Sequence, residues 1–318
     1  MANFVPHSTT LFDAITLCLR RDGVVSHRPE YGWEVDAEAA CEFVDNICRA
    51  LRGGASGGSF PGALELRVVG AEPFAQIEGL EKILRCGAAN KLLGHIWTTG
   101  AWVTSAESVS TVLERLSGTI HAVTLRVDAD EIDGLGLAPC ETLLGVLREK
   151  RLGAVIECCV RPGSQLPLKL LGSESINNNS SFIRIVPTPE WAGPRGNDGD
   201  YFLETAQPYD RCAERLSLTV LPNGDVHPCL RGIGVDAMKL GSLSGESAEE
   251  ILHRARNSRP LARLRDEGPA HLFKLAQAAG EWNAETNFVD SCELHVRLLT
   301  GASSALYGFL TEPQTLGA

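Results

Sequence analysis

Two rhythms of apolar and polar positions alternate along the first 190 or so residues. Short apolar runs bounded by polar residues predict strands at 11–18, 64–69, 95–99, 122–127, 154–160 and 182–186. Between them, spacing near 3.6 predicts helices at 35–51, 76–86, 105–117 and 139–150. In the first helix Ala40, Phe43, Val44, Ile47, Cys48 and Leu51 form one stripe, with Asp36 placed as N-cap. Cys41 and Cys48 are two turns apart on it, too distant to chelate one metal, and core packing accounts for both. Ser105 caps the third helix, turning Val109, Val112, Leu113 and Leu116 inward, and Pro139 opens the fourth. The segment 52–63 is rich in Gly and Ser and reads as a connection.

After the first gap the strand ends recur every 30 or so residues, the length of a βα unit. Six such units predict an α/β fold, a partial (β/α)6 TIM-type barrel over residues 1–200. Ligands of such folds sit at the carboxyl ends of the strands, where Cys18, residues 70–73, residues 98–100 and Asp128 would project. The weakest unit is 163–181, with a short helix expected at 168–171 and loop at 177–181. A Pro- and Gly-rich stretch at 187–199 marks a boundary, and residues 201–318 read as a small α+β module. There 216–221 predicts a strand, Pro222-Asn223-Gly224-Asp225 a hairpin turn and 226–229 the returning strand. Helices are expected at 247–265 and 269–279, and a short apolar element at 292–299.

Charge narrows the partners. Acidic residues outnumber basic ones 40 to 29 over 318 residues, and Arg and Lys are scattered. No nucleic-acid partner is expected, because phosphate-backbone affinity needs concentrated positive charge. The basic stretch 254–265 has helical spacing and reads as a solvated helix face. No run approaches 18 apolar residues, so no membrane partner is expected. The opening residues lack the plan of a signal peptide, and a cytoplasmic location is expected. Ten cysteines in a reducing compartment are core thiols or metal ligands, not a disulfide framework. Cys158 and Cys159 lie mid-strand, so one of them faces the barrel interior in a packing role. There is no Walker loop or His-Glu-x-x-His, and no Gly-x-Gly-x-x-Gly follows a strand.

Several stretches together resemble the radical SAM superfamily with a truncated SPASM or twitch-like C-terminal extension. Val69-Gly70-Ala71-Glu72-Pro73 is similar to that family's Gly-Gly-Glu-Pro loop, with Ala71 in place of the second glycine. The resemblance implies that Gly70, Ala71, Glu72 and Pro73 hold the amino group of S-adenosylmethionine. It places Cys18, Thr99 and Asp128 in the same cofactor-binding set: Thr98-Thr99-Gly100 sits where Thr-Asn-Gly is common, and Asp128 ends a strand as in the family. In the tail, Cys212, eleven residues, Gly224, four residues and Cys229 fit the extension's Cys-x9–15-Gly-x4-Cys spacing. The extension's closing Cys-x-x-Cys is represented by Cys292-Glu293-Leu294-His295. Cys212, Cys229, Cys292 and His295 would suit zinc or an auxiliary iron–sulfur cluster, with His227 an alternative fourth ligand. The competing reading makes Cys212 and Cys292 buried thiols and His295 a surface residue.

The departure lies at Cys18. The family's cluster loop is Cys-x-x-x-Cys-x-x-Cys, but the corresponding later positions are Asp22 and Val25, and no cysteine occurs between Cys18 and Cys41. Without three thiolates the family's four-iron cluster is not expected to assemble stably, nor S-adenosylmethionine to be chelated by it. The expectation is a pseudoenzyme: a non-catalytic partner of a peptide or protein substrate, or of an active sister enzyme, in maturation of a ribosomally made peptide. The alternatives are an active S-adenosylmethionine-dependent peptide-modifying enzyme with a non-standard site at Cys18, Glu72 and Asp128, or a zinc-stabilised binding protein.

Overall fold

The computed structural model describes residues 12–21, 32–53, 64–128, 136–160, 166–179, 182–187, 204–205, 217–233, 238–258, 261 and 287–288. Six strands and their helices follow the predicted order: β1 (Ala14–Cys18), α1 (Ala37–Gly53), β2 (Glu65–Val69), α2 (Ile77–Ala89), β3 (Leu93–Thr98), α3 (Ala106–Arg115), β4 (Ile120–Asp128), α4 (Ala138–Glu149), β5 (Gly153–Val160) and β6 (Phe182–Pro187). Each of these strands pairs in parallel with the next, as crossover helices require. Ser105 caps α3 in a reciprocal capping box with Ser108, and Val109 and Leu113 are buried beneath it as the spacing predicts.

Burial follows the pleat. In β2, Leu66 and Val68 enter the main core while Glu65 and Arg67 alternate onto the opposite face. In β5 the same alternation sends Cys158 into the core and Cys159, equally buried, to the other face. Ile15, Leu17, Leu66, Val68, Ile96, Val123, Leu125 and Ile156 all lie in that core, with helix residues such as Leu80, Ile83, Leu84, Leu143 and Leu147. Each such side chain removed from water stabilises the fold by about 1.5–3 kcal/mol before entropy is counted.

Three findings differ from the expectation. The sheet is not closed into a barrel among the described residues: it is open and nine-stranded, with β6 at one edge. Its other edge is formed by the tail, through β8 (Ser217–Val220), β9 (Asp225–His227) and β10 (Gly241–Ser242). β8 runs parallel beside β1, with Ser217 opposite Ala14 and Val220 opposite Leu17, so the tail's hairpin continues the sheet. The buried hydroxyls of Thr16 and Ser217 join the two strands at 3.1 Å. Second, the weak unit holds two short helices, α5 (Leu166–Gly172) and α6 (Glu174–Asn179), so residues 177–179 are helical, not loop. Ser173 Oγ accepts from the Ile176 amide, a local start that a polar Asn run conceals.

Third, the helix predicted at 247–265 is described as α7 (Ala248–Asn257), opened by a Ser247–Glu250 capping box. A separate two-stranded pair, β7 (Glu204–Thr205) with β11 (Asn287–Phe288), links the middle of the chain to its tail. Pro187 ends β6, while the rest of the boundary at 187–199 and the elements predicted at 269–279 and 292–299 lie outside the described residues.

Candidate functional site

The loops after β2 and β3 meet at one buried carboxylate. Glu72 accepts hydrogen bonds from the Phe74 amide at 3.2 Å and the Thr98 hydroxyl at 2.7 Å. The Thr99 amide and hydroxyl complete the set at 3.0 and 2.8 Å. Thr98 Oγ1 in turn accepts from the Gly100 amide and the Trp102 indole, so its one proton is committed to Glu72. Trp33 donates to the Glu72 carbonyl, and Phe74 stacks on Trp102 with ring centroids 4.3 Å apart. Burial pushes the Glu72 carboxyl up from the usual range, while Thr98, Thr99 and Phe74, all donating, pull it down.

Glu72 and Thr99, both predicted cofactor contacts, are thus turned onto each other. Their geometry fixes the backbone of the loop. Gly70 and Ala71 both adopt positive φ, at 87° and 51°. Ala71 therefore occupies the left-handed conformation that a glycine would hold more cheaply. Pro73 opens a 3-10 turn (Pro73–Gln76) that leads into α2. Asp128 ends β4 in register with Cys159, on the same edge of the sheet.

Cys18 is the last residue of β1, directly opposite Val69. It is fully buried and packs with Val69 and Leu221, alongside Trp97, Leu230 and Ile233. The tail supplies Leu221, Leu230 and Ile233, so the C-terminal segment covers the face on which Cys18 lies. Asp22 and Val25 lie outside the described residues. Cys41 and Cys86 approach each other on α1 and α2, where the Cys86 thiol meets the Cys41 carbonyl at 3.6 Å. Among the described residues no group of three thiol, imidazole or carboxylate ligands includes Cys18. The described residues do not supply three thiolates for a cluster at the end of β1.

In the tail, Gly224 makes the predicted turn with φ 84°, and the Leu221 amide donates to the Asp225 carbonyl at 2.8 Å. This hairpin sets Cys229 just after β9, buried, leading a 3-10 turn (Leu230–Gly232). His227, the alternative ligand, is also buried. Cys212, Cys292 and His295 lie outside the described residues.

A different set of ligating side chains gathers at the opposite edge. Glu65, His95 and His121, from the beginnings of β2, β3 and β4, bring their ligating atoms within 4.8 Å of one another. A reading that looked for ligands only at strand ends passed over them. Their signal was polar residues at alternate positions, on the face opposite the main core in β2 and β3.

Comparison with known proteins agrees with this layout. Residues 212–275 match the SPASM family, described as an iron–sulfur cluster-binding domain. No curated protein matches the chain in sequence. Among solved structures, "Native anSMEcpe with bound AdoMet" aligns at a TM-score of 0.53 and 12% identity, over 93% of this chain and 99% of that one. A second, "Native anSMEcpe with bound AdoMet and Cp18Cys peptide", gives 0.54 and 11%, over 93% and 98%. SuiB from Streptococcus suis gives 0.52 and 13%, over 89% and 77%. At such identities the likeness is one of fold. The chain is thus an α/β protein similar in fold to these structures. Its segment 212–275 is, in addition, similar to the SPASM family. Among the described residues no helix is long and apolar enough to cross a membrane.

Proposed function

We propose that this protein is a non-catalytic member of the radical SAM/SPASM-like group that binds a peptide or protein, working beside an active sister enzyme in maturation of a ribosomally made peptide. The observation that carries this reading is the packing of Cys18 among Val69, Leu221, Trp97, Leu230 and Ile233. The absence of any cysteine between Cys18 and Cys41 and the internal use of Glu72 support the same reading. The peptide is suggested by the similar fold of a protein whose structure carries the Cp18Cys peptide. Cys229 and the family assignment of 212–275 support one auxiliary iron–sulfur cluster or zinc ion in the tail, completed by Cys212, Cys292 and His295. Of that set, Cys292 and His295 lie beyond the matched segment.

Anaerobic purification followed by iron and sulfide analysis tests the reading. Cys18→Ala is expected to keep the iron and sulfide content of the parent protein, and no 5′-deoxyadenosine is expected from S-adenosylmethionine and a strong reductant. A four-iron cluster present in the parent and lost in Cys18→Ala overturns the proposal. Co-expression with a sister enzyme is expected to yield a complex, and deletion is expected to lower product; neither effect occurring removes the partner role.

A further inference from the structure

The strands that carry the Glu72 loop at their carboxyl ends carry a second, unrelated constellation at their beginnings. His121 Nδ1 lies 2.8 Å from the Gly94 carbonyl. A carbonyl only accepts, so Nδ1 holds the proton and the neutral ring presents a lone pair at Nε2. That Nε2 lies 3.3 Å from Glu65 Oε1. Two acceptors facing each other at this distance repel unless a cation lies between them, either a proton on the ring or a metal ion.

His95 adds a third donor. Its Nε2 is 2.8 Å from the Thr124 hydroxyl, which orients the ring. Its Nδ1 is buried without a hydrogen-bond partner and points toward Glu65 Oε2 at 3.8 Å. Each imidazole is thus held by an outer partner through one nitrogen and aims the other at the same carboxylate. That is the arrangement in which metal-binding histidines are commonly found. The 3.3 Å separation also agrees with the edge of a tetrahedron whose metal–ligand bonds are about 2.0–2.1 Å.

We propose that Glu65, His95 and His121 form a binding site for a divalent first-row transition ion of the zinc or iron(II) class. Two imidazoles and one carboxylate suit such ions, and leave coordination positions for water or another oxygen donor. The three side chains are 28%, 13% and 33% exposed, so an ion can enter from solvent. Bound there, it ties the beginnings of three neighbouring parallel strands. The site lies away from the Cys18 edge; β2 alone separates the two edges by roughly 13 Å at about 3.3 Å per residue.

Arg67 opposes the ion. Its Nε lies 2.9 Å from Glu65 Oε2, cancels the carboxylate charge and leaves Oε1 as the available ligand. The proton alternative, a charged His121 paired with Glu65, has the same geometry, so the test must count metal. Cobalt(II) titration of the purified, metal-stripped full chain distinguishes the sites. An imidazole–carboxylate site gives visible d–d absorption without the near-ultraviolet thiolate charge transfer of a cysteine site. The expected result is one equivalent of thiolate-free cobalt, retained in Cys229→Ala and weakened by about 100-fold or more in Glu65→Gln and His121→Gln, since loss of an outer-shell partner alone costs about 10–100-fold. Arg67→Met is expected to bind about tenfold more tightly, because a cation beside the ion is removed. No thiolate-free cobalt in the parent protein overturns the site, as does equal binding in Glu65→Gln and His121→Gln. Unchanged affinity in Arg67→Met also counts against it, and because that variant reads a gain, misfolding cannot imitate the expected result.

Discussion

Thr98 donates its hydroxyl to Glu72 at 2.7 Å, joining the loop after β2 to the loop after β3 inside the protein. Both Glu72 oxygens are engaged by donors, and the Thr98 hydroxyl is saturated by two further donors of its own. Truncation would strand these groups away from water. Glu72→Ala leaves the Thr98 hydroxyl and both Thr99 donors without an acceptor, and is expected to lower stability by about 3 kcal/mol. Thr98→Val removes one donor and strands the Gly100 amide and Trp102 indole, for about 2 kcal/mol. Urea denaturation measures both. A Glu72→Ala protein as stable as its parent would show that the carboxylate is kept for a ligand and not for the fold.

Cys48 illustrates how burial silences a thiol. It lies on the inner face of α1, 4% exposed, and burial pushes its pKa up to about 11. Arg52 pulls the other way, but less. The thiolate is the reactive form, and each unit of pKa above the solution pH lowers its fraction tenfold. At pH 8 the native protein is therefore expected to alkylate at Cys48 about 100-fold more slowly than an ordinary thiol, with the rate climbing toward pH 11. Pulsed iodoacetamide labelling with peptide mass analysis reads this directly. Labelling of Cys48 in the native protein as fast as in a urea-unfolded control would refute the burial argument.

The segment that matches the SPASM family depends on a local device at the start of α7. Ser247 Oγ accepts from the Glu250 amide at 3.2 Å, and the Glu250 carboxylate returns a bond to the Ser247 amide at 3.0 Å. Behind this box Ala248, Ile251, Leu252 and Ala255 are buried. Ser247→Ala is expected to cost about 1 kcal/mol. A conservative control outside the box, Arg256→Lys at an exposed position of α7, should cost less than about 0.5 kcal/mol. Thermal denaturation of the two variants compares them, and an equal loss would mean that the box contributes nothing.

Much of this architecture was readable before the structure, for physical reasons that also explain what was not. The six strands, their helices and the Asn223-Gly224 turn announce themselves through periodicity and turn chemistry, which are local. The position of β8 beside β1 is a pairing across some two hundred residues, and nothing in Ser217–Val220 names Ala14–Cys18 as its neighbour. The same holds for Glu72 and Thr98: each was singled out at a strand's carboxyl end, but their mutual bond closes a gap of 26 residues. Glu65, His95 and His121 stand at strand beginnings, where the rule for parallel sheets directs no attention. Cys18 was legible as a cysteine without companions. That Leu221, Leu230 and Ile233 pack beside it needed the fold.

Gly224 couples the tail's motif to the sheet, and two separable effects act there. Its φ of 84° is one that a side chain adopts at a cost of roughly 1–2 kcal/mol. A methyl group added to it would also lie 2.5 Å from Ser244 Oγ and 3.1 Å from the Ser244 amide. The Gly224 carbonyl accepts from the Leu243 amide at 2.8 Å, so the turn cannot swing away without releasing the segment before α7. Gly224→Ala is therefore expected to lose about 3 kcal/mol, the conformational cost plus a clash with Ser244. Ser244→Ala alone gives up the bond from Ser244 Oγ to the Asn223 carbonyl, for about 1 kcal/mol. In the double variant the hydroxyl contact is gone while the backbone cost stays, so the two losses should sum to more than the double loss by about 1 kcal/mol. Urea denaturation of all four proteins measures the cycle. Strict additivity would show that only the backbone conformation, and not the closeness of Ser244, requires glycine at this turn.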